Sequence, residues 1–167
     1  MSTRPEITGM KPLSLAWVCP SRLQTVPSVT IKFVQSTPVP DKESAKILIV
    51  DDDEGVTQTF ARMLRLEGYE VRTAMNAETG LREAEQSQPD AIILDLRMPL
   101  VDGLGFLRRL RAHDAQRDTP VAIVTGDYFL DDTVSSELRE LGAELKFKPL
   151  WLEDLIGLAR TLLKVTN

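Results

Sequence analysis

The chain has 167 residues, of which 20 are Lys or Arg, 25 are Asp or Glu and 43% are apolar, and its net charge is −5. This composition indicates one packed domain of ordinary size with room for an appendage, and it argues against non-specific nucleic-acid binding through bulk charge. A single Cys and a single His exclude an internal disulfide framework and a Cys- or His-based metal cluster. No apolar run approaches the roughly 20 residues that cross a bilayer, so we expect a cytoplasmic protein without membrane association.

Residues 1–45 differ in composition from the rest of the chain. They contain six of the ten prolines and a small excess of basic over acidic side chains. Because proline interrupts both helices and sheet ladders, we predict a Pro-rich extension that is largely disordered. Residues 29–34 (VTIKFV) alternate well enough to offer a different interpretation, a strand that pairs with a sheet edge or a second chain.

From residue 46 to residue 167, short apolar runs alternate with helical patterns. The predicted strands are 46–50, 69–74, 91–96, 121–125 and 143–147. Between them, apolar residues recur at helical spacing, with Asn76 as a helix cap and Gly68 and Gly142 as helix ends. The clearest helical stripe runs through 152–163. Five strands alternating with five helices predict an α/β domain with a doubly wound parallel sheet and helices on both faces.

Ligands in such folds bind beyond the carboxyl ends of the strands. Chemically active side chains stand at four of these five ends: Asp51 and Asp52 after the first strand, Asp95 at the third, Thr125-Gly126 at the fourth and Lys148 after the fifth. Crowded carboxylates repel unless a cation intervenes, and Mg²⁺ prefers such oxygen ligands. The Lys148 ammonium suits a phosphoryl group. For the acidic loop alone, the alternative is a solvated helix N-terminus.

The chain from about Lys46 to Lys164 resembles the receiver domain of bacterial two-component response regulators. The matching pieces are ILIVDDD at 47–53, DLRMPLVDG at 95–103, Thr125-Gly126 and Lys148-Pro149. The resemblance implies a flavodoxin-like fold with strand order 2-1-3-4-5 and Mg²⁺ as the cofactor. It also implies that Asp95 is the phosphoacceptor, which attacks a phosphohistidine on a sensor histidine kinase or phosphotransfer protein.

The same resemblance implies the ligands of the metal. Asp52 and Asp95 would bind Mg²⁺ directly, together with the backbone carbonyl of Arg97, and Asp51 would hold it through water.

The phosphoryl group would have its own partners. Lys148 would neutralise its charge, and the hydroxyl of Thr125 would donate to it, as would the backbone N–H groups of Leu96 and Gly126.

Three residues depart from the family pattern or stand out near the site. Leu145 occupies a position where the family usually has an aromatic switch residue, and Phe147, two positions on and on the same face, is a candidate substitute. Trp151 falls outside the apolar stripe of the last helix, so it is a candidate for an exposed interface residue; the alternative is a Trp folded back against its own loop. The family often forms homodimers through its fourth helix, fifth strand and fifth helix. Arg97 and Asp127 are expected to flank the cleft, where they would either pair or tune the access of water to the acyl phosphate, and an ordinary surface Arg is the alternative for Arg97.

No basic helix-turn-helix pattern follows the last helix, so the sequence predicts a stand-alone receiver. It would relay phosphate or act on a downstream protein, without direct nucleic-acid binding. It would not be an enzyme beyond catalysing its own phosphorylation and dephosphorylation. A pseudo-receiver that serves only as a protein-interaction module is the main alternative. An aspartate-nucleophile phosphohydrolase would typically carry a second Asp where this chain has Arg97. A flavodoxin-like cofactor binder would bring its phosphate against three carboxylates.

Overall fold

The computed structural model describes residues 44–164. The extension predicted for 1–45, including the strand-like 29–34, therefore lies almost wholly outside the described residues. Five strands and five α-helices alternate along the described chain. The strands are β1 (Lys46–Val50), β2 (Glu70–Ala74), β3 (Ala91–Asp95), β4 (Val121–Thr125) and β5 (Ala143–Phe147). The helices are α1 (Glu54–Leu66), α2 (Ala77–Ser87), α3 (Gly103–Ala112), α4 (Asp132–Glu140) and α5 (Leu152–Lys164).

The strands form one parallel sheet in the order β2-β1-β3-β4-β5, which confirms the predicted fold and strand order. The register of neighbouring strands brings their last residues to nearly the same height: Val50 pairs with Leu94, and Asp95 pairs with Val124. The carboxyl ends of the three central strands therefore lie side by side at one edge of the sheet. That edge is where the chain order reverses and where a doubly wound fold can hold a ligand.

The two faces of the sheet carry two separate cores. The central strands β1, β3 and β4 are buried on both faces, as their nearly continuous apolar sequences require. One core includes residues of α2, α3 and α4, with the fully buried Phe106 among them. The other includes residues of α1 and α5, with Leu64 and Leu155 among them. Among the helices of residues 44–164, none has the length and apolarity that a bilayer crossing requires.

Short polar side chains cap the first turns of α1, α2, α3 and α4. Asn76 accepts from the N–H of Thr79 at 2.9 Å, which confirms the predicted cap of α2. Gly68 and Gly142 follow the ends of α1 and α4 with φ values of +91° and +72°, a left-handed conformation that favours glycine.

The element ends differ from the prediction by a residue or two. Leu130 shares the apolar pattern of α4 but precedes that helix, because Asp131 caps the helix from the next position. A short 3-10 helix at Asp114–Gln116, which the sequence pattern did not predict, links α3 to β4.

Candidate functional site

Two buried carboxylates lie at the carboxyl edge of the sheet. Asp51 immediately follows β1 and is 4% exposed, and Asp95 is the last residue of β3 and is 6% exposed. They are neighbours because β1 and β3 pair directly. Burial of two like charges so close together is costly unless a cation compensates them.

Lys148 supplies that cation from the residue after β5. Its Nζ donates to Asp51 Oδ2 at 2.7 Å and to Asp95 Oδ1 at 2.7 Å. The peptide bond to Pro149 is cis. The fold therefore joins three side chains that are far apart in the sequence, at the edge where the sequence analysis expected them.

The environment shifts the pKa values of both members of the Asp95–Lys148 pair. Burial raises the pKa of Asp95; the hydrogen bond and charge of Lys148 oppose that rise, and the charge of Asp51 adds to it. Burial is the largest single influence on Lys148 and would lower its pKa, but the hydrogen bonds to Asp51 and Asp95 and the charges of these carboxylates together raise it. The site therefore favours the charged form of Lys148.

Each carboxylate also accepts a backbone N–H with its second oxygen. Asp53 N–H donates to Asp51 Oδ1 at 2.9 Å, and Arg97 N–H donates to Asp95 Oδ2 at 2.6 Å. These bonds hold both side chains in fixed orientations.

Asp52 does not join the two buried carboxylates. It is exposed, in the bend that the main chain makes between β1 and α1. Within residues 44–164, no three acidic, His or Cys side chains lie close enough together to form a metal centre on their own.

The fourth strand ends beside Lys148. Thr125 is fully buried, and its Oγ1 accepts from the N–H of Asp127 at 3.1 Å. The Thr125 carbonyl accepts from the N–H of Lys148 at 2.8 Å. The ends of β4 and β5 are therefore tied together through their main chains. Gly126, the next residue, is exposed, whereas Leu96 is buried in the core.

Gly103 supports the end of β3. A Cβ at this position would lie 2.6 Å from the backbone oxygen of Asp95 and 2.9 Å from the Cα of Leu96. The N–H of Gly103 donates to the Leu96 carbonyl at 2.9 Å. The first turn of α3 therefore packs directly on the main chain that carries Asp95, which only a residue without a side chain permits.

The rim of the site carries exposed groups. The Arg97 guanidinium donates to the Asp127 carboxylate, as expected from the sequence, and holds the pKa of Asp127 below its usual value. Trp151 is 71% exposed. Leu145 is partly buried and packs on the core beneath α4, whereas Phe147 is half-exposed.

Tyr128 is a rim residue that the sequence analysis missed. Its ring stacks on the ring of Phe147, with centroids 5.3 Å apart and planes 13° from parallel, and its hydroxyl donates to the Lys148 carbonyl. No local pattern distinguished it, because the contact depends on pairing between β4 and β5.

The sheet order and the buried acid–lysine cluster define a flavodoxin-like α/β protein with a charged site at its topological switch point. The family model of the response regulator receiver domain matches residues 47–157. The chain therefore belongs to the response regulator receiver family.

Curated relatives support the same assignment. The transcriptional regulatory protein PrrA of Mycobacterium tuberculosis is 39% identical over 122 residues, which are 72% of this chain and 51% of that protein. The response regulator MprA of Mycobacterium ulcerans is 36% identical over 127 residues, which are 74% of this chain and 52% of that protein. The chain spans about half the length of these relatives.

Solved structures show the same fold. The chemotaxis protein CheY4 of Vibrio cholerae has a TM-score of 0.66 and 29% identity, covering 71% of this chain and 98% of that chain. A CheY-like response regulator receiver domain protein from Methanospirillum hungatei has a TM-score of 0.66 and 29% identity, covering 72% and 94% of the two chains.

Proposed function

We propose that this protein accepts a phosphoryl group on Asp95 from a phosphohistidine of a sensor histidine kinase or phosphotransfer protein. The observation that carries this proposal is the Lys148 ammonium, which contacts the buried carboxylates of both Asp51 and Asp95 at 2.7 Å. A lone buried carboxylate at a strand end would destabilise the fold. Beside a fixed ammonium, the Asp95 carboxylate is a nucleophile placed next to a group that stabilises phosphoryl oxygens.

In the proposed step, a carboxylate oxygen of Asp95 attacks the phosphorus of the phosphohistidine. The bond between phosphorus and the imidazole nitrogen breaks, and that nitrogen keeps the electron pair. The other imidazole nitrogen of the reacting phosphohistidine carries a proton, so the leaving group is a neutral histidine. Together with the aspartyl phosphate, it balances the atoms and the charge of the step. Lys148 would leave the Asp95 oxygen to neutralise charge on the transferred group. The Thr125 hydroxyl and the N–H groups of Leu96 and Gly126 would donate to its oxygens.

The donor chemistry of the site fits Mg²⁺. Asp51, Asp52 and Asp95 provide only oxygen ligands, and Lys148 leaves part of their negative charge uncompensated. Asp52 is exposed, and the two buried carboxylates already contact Lys148. Waters and the Arg97 carbonyl would therefore complete the coordination of the ion. When bound, the ion would add to the neutralisation of charge on the phosphoryl oxygens.

The same proposal includes how the phosphorylated protein passes on its signal. We propose a cytoplasmic module that passes the signal to a downstream protein, or relays the phosphoryl group, and that catalyses only reactions of its own Asp95. A homodimer through α4, β5 and α5 is the corresponding proposal for self-association. The exposed Phe147 and Trp151, which lie on β5 and just before α5, support a contact surface there.

The test is phosphorylation of the full chain by acetyl phosphate, with and without Mg²⁺, followed by intact mass measurement. We expect a Mg²⁺-dependent gain of one phosphoryl group. The gain should be absent in Asp95→Asn and present in Asp114→Asn, a matched change at an exposed carboxylate outside the site. The absence of any gain in the unmodified chain would contradict the proposal and favour the phosphorylation-independent pseudo-receiver.

A further inference from the structure

We propose that Tyr128 is a positioning residue that holds Lys148 in place for phosphoryl transfer. This inference goes beyond the proposed function and rests on it, because the transfer is what Lys148 would assist. The residue lies three positions beyond Thr125, in the loop between β4 and α4, and touches neither buried carboxylate.

The main chain of Lys148 is held from two sides by this loop. Its N–H donates to the Thr125 carbonyl at 2.8 Å, and its own carbonyl accepts from the Tyr128 hydroxyl. The first bond is an extension of the pairing between β4 and β5. The second has no counterpart in sheet geometry, so it depends on the identity of the side chain at position 128.

The aromatic ring of Tyr128 restricts where its hydroxyl can lie and so supports the hydrogen bond to the Lys148 carbonyl. It stacks nearly parallel on Phe147, the residue before Lys148, with ring centroids 5.3 Å apart. A stacked pair of this kind contributes beyond its buried area. The ring fixes the direction of the hydroxyl although Tyr128 is 61% exposed.

Position matters at Lys148 because its ammonium contacts two carboxylates before transfer and would have to reach the phosphoryl oxygens at Asp95 during it. Both Nζ–O distances are 2.7 Å, and a Lys side chain has four rotatable bonds whose freedom is costly to restrict. A shift of its backbone anchor would lengthen at least one contact. The strand that precedes Lys148, β5, is an edge strand, with β4 as its only neighbour in the sheet of the described residues. The Tyr128 contacts therefore supply part of the constraint that a second neighbouring strand would give.

The test uses the full chain and compares Tyr128→Phe, which removes the hydroxyl alone, with Tyr128→Leu, which also removes the ring. The matched control is Phe129→Leu, because Phe129 is adjacent and 95% exposed. We expect Tyr128→Phe to slow phosphorylation by acetyl phosphate about fivefold, the range of one hydrogen bond, and Tyr128→Leu to slow it further. The control should match the unmodified chain.

A double-mutant cycle distinguishes positioning from general support of the fold. Lys148→Ala should itself slow the reaction by about a hundredfold. If Tyr128 acts through Lys148, adding Tyr128→Phe to Lys148→Ala should have no further effect on the rate. An equal slowing in both backgrounds would overturn the proposal, as would an unchanged rate in both single variants of Tyr128.

A second measurement does not depend on phosphorylation. A limiting amount of an amine-acetylating reagent is added, and modification of Lys148 is quantified by peptide mass spectrometry relative to the exposed Lys164. Displacement of the ammonium from its carboxylates should increase the relative labelling of Lys148 in Tyr128→Leu severalfold, with no change in Phe129→Leu. If the unmodified chain accepts no phosphoryl group, the proposed function fails, and this labelling alone decides the positioning role. Unchanged labelling would then overturn it.

Discussion

The edge of the sheet carries two kinds of ion pair that differ in their surroundings. Lys148 is 26% exposed and contacts two carboxylates whose side chains are each 6% exposed. Arg97 is 67% exposed and contacts Asp127, whose side chain is 23% exposed, across the rim. Charges of the first kind depend on one another, because water cannot replace a missing partner. In the second kind, the exposed guanidinium is solvated with or without its partner. Four substitutions test this difference.

The largest effect should follow loss of Lys148. Lys148→Ala leaves Asp51 and Asp95 buried without a countercharge, and we expect the free energy of unfolding to fall by about 2 kcal/mol, less than for a fully enclosed pair because the lysine is partly exposed. Urea denaturation without Mg²⁺ measures it. Lys146→Ala is the control on β5, two residues before Lys148, since Lys146 pairs with Glu144 in a more exposed position. An equal decrease in the free energy of unfolding in both variants would contradict the proposed difference between buried and exposed pairs.

Asp95→Asn should increase stability near neutral pH. Burial raises the pKa of Asp95 in the folded chain, so its charged form opposes folding. Removal of that charge should add about 1 kcal/mol, the usual scale for a destabilising functional group. A raised folded-state pKa means that the unmodified chain gains stability relative to the variant as pH falls through that value. The difference in unfolding free energy should therefore shrink in acid, and a difference that grows in acid would show the opposite sign.

Asp127→Ala should have a smaller effect, and it separates two roles of one carboxylate. Asp127 pairs with Arg97, but its Oδ1 also accepts from the N–H of Phe129 at 3.0 Å. We expect a slight decrease in the urea midpoint from the lost turn contact. Arg97→Ala, which removes only the ion pair, should leave the midpoint unchanged. If Arg97→Ala lowered the midpoint as much as Asp127→Ala, the exposed pair would be more important than its solvation suggests.

The smallest effect is expected at the pair between α3 and α4. Arg108 donates to Glu137 through two nitrogens, at 2.5 and 2.6 Å, and the side chains are 57% and 34% exposed. Despite this two-point geometry, Arg108→Ala should not move the thermal midpoint at 0.5 M salt, where screening weakens such pairs. A clear decrease in the thermal midpoint at that salt concentration would show that this pair stabilises the fold as the Lys148 contacts do, unlike the pair of Arg97 and Asp127.

The sheet and the ends of its strands were predictable because local patterns determine them. Buried parallel strands have continuous apolar sequences, and a charged residue such as Asp95 at the end of one is conspicuous. Lys148 followed from the same reasoning. The exposure of Asp52 and the contact between Gly103 and Asp95 depend on the path of the main chain after the strand, and that path is set by packing between elements. The stack of Tyr128 on Phe147 likewise requires the pairing of β4 with β5, which no local pattern encodes.

The distance along the chain between the charged partners has a consequence for biosynthesis. Asp51 and Lys148 are 97 residues apart, and Asp95 and Lys148 are 53 apart. During translation, β1 and β3 leave the ribosome well before β5, so the two acids emerge without their cation. Nascent chains halted before residue 148 would hold both acids uncompensated, and the acceptor site would form only when β5 docks on β4. Competence to accept a phosphoryl group would then report that this edge strand has been added to the sheet.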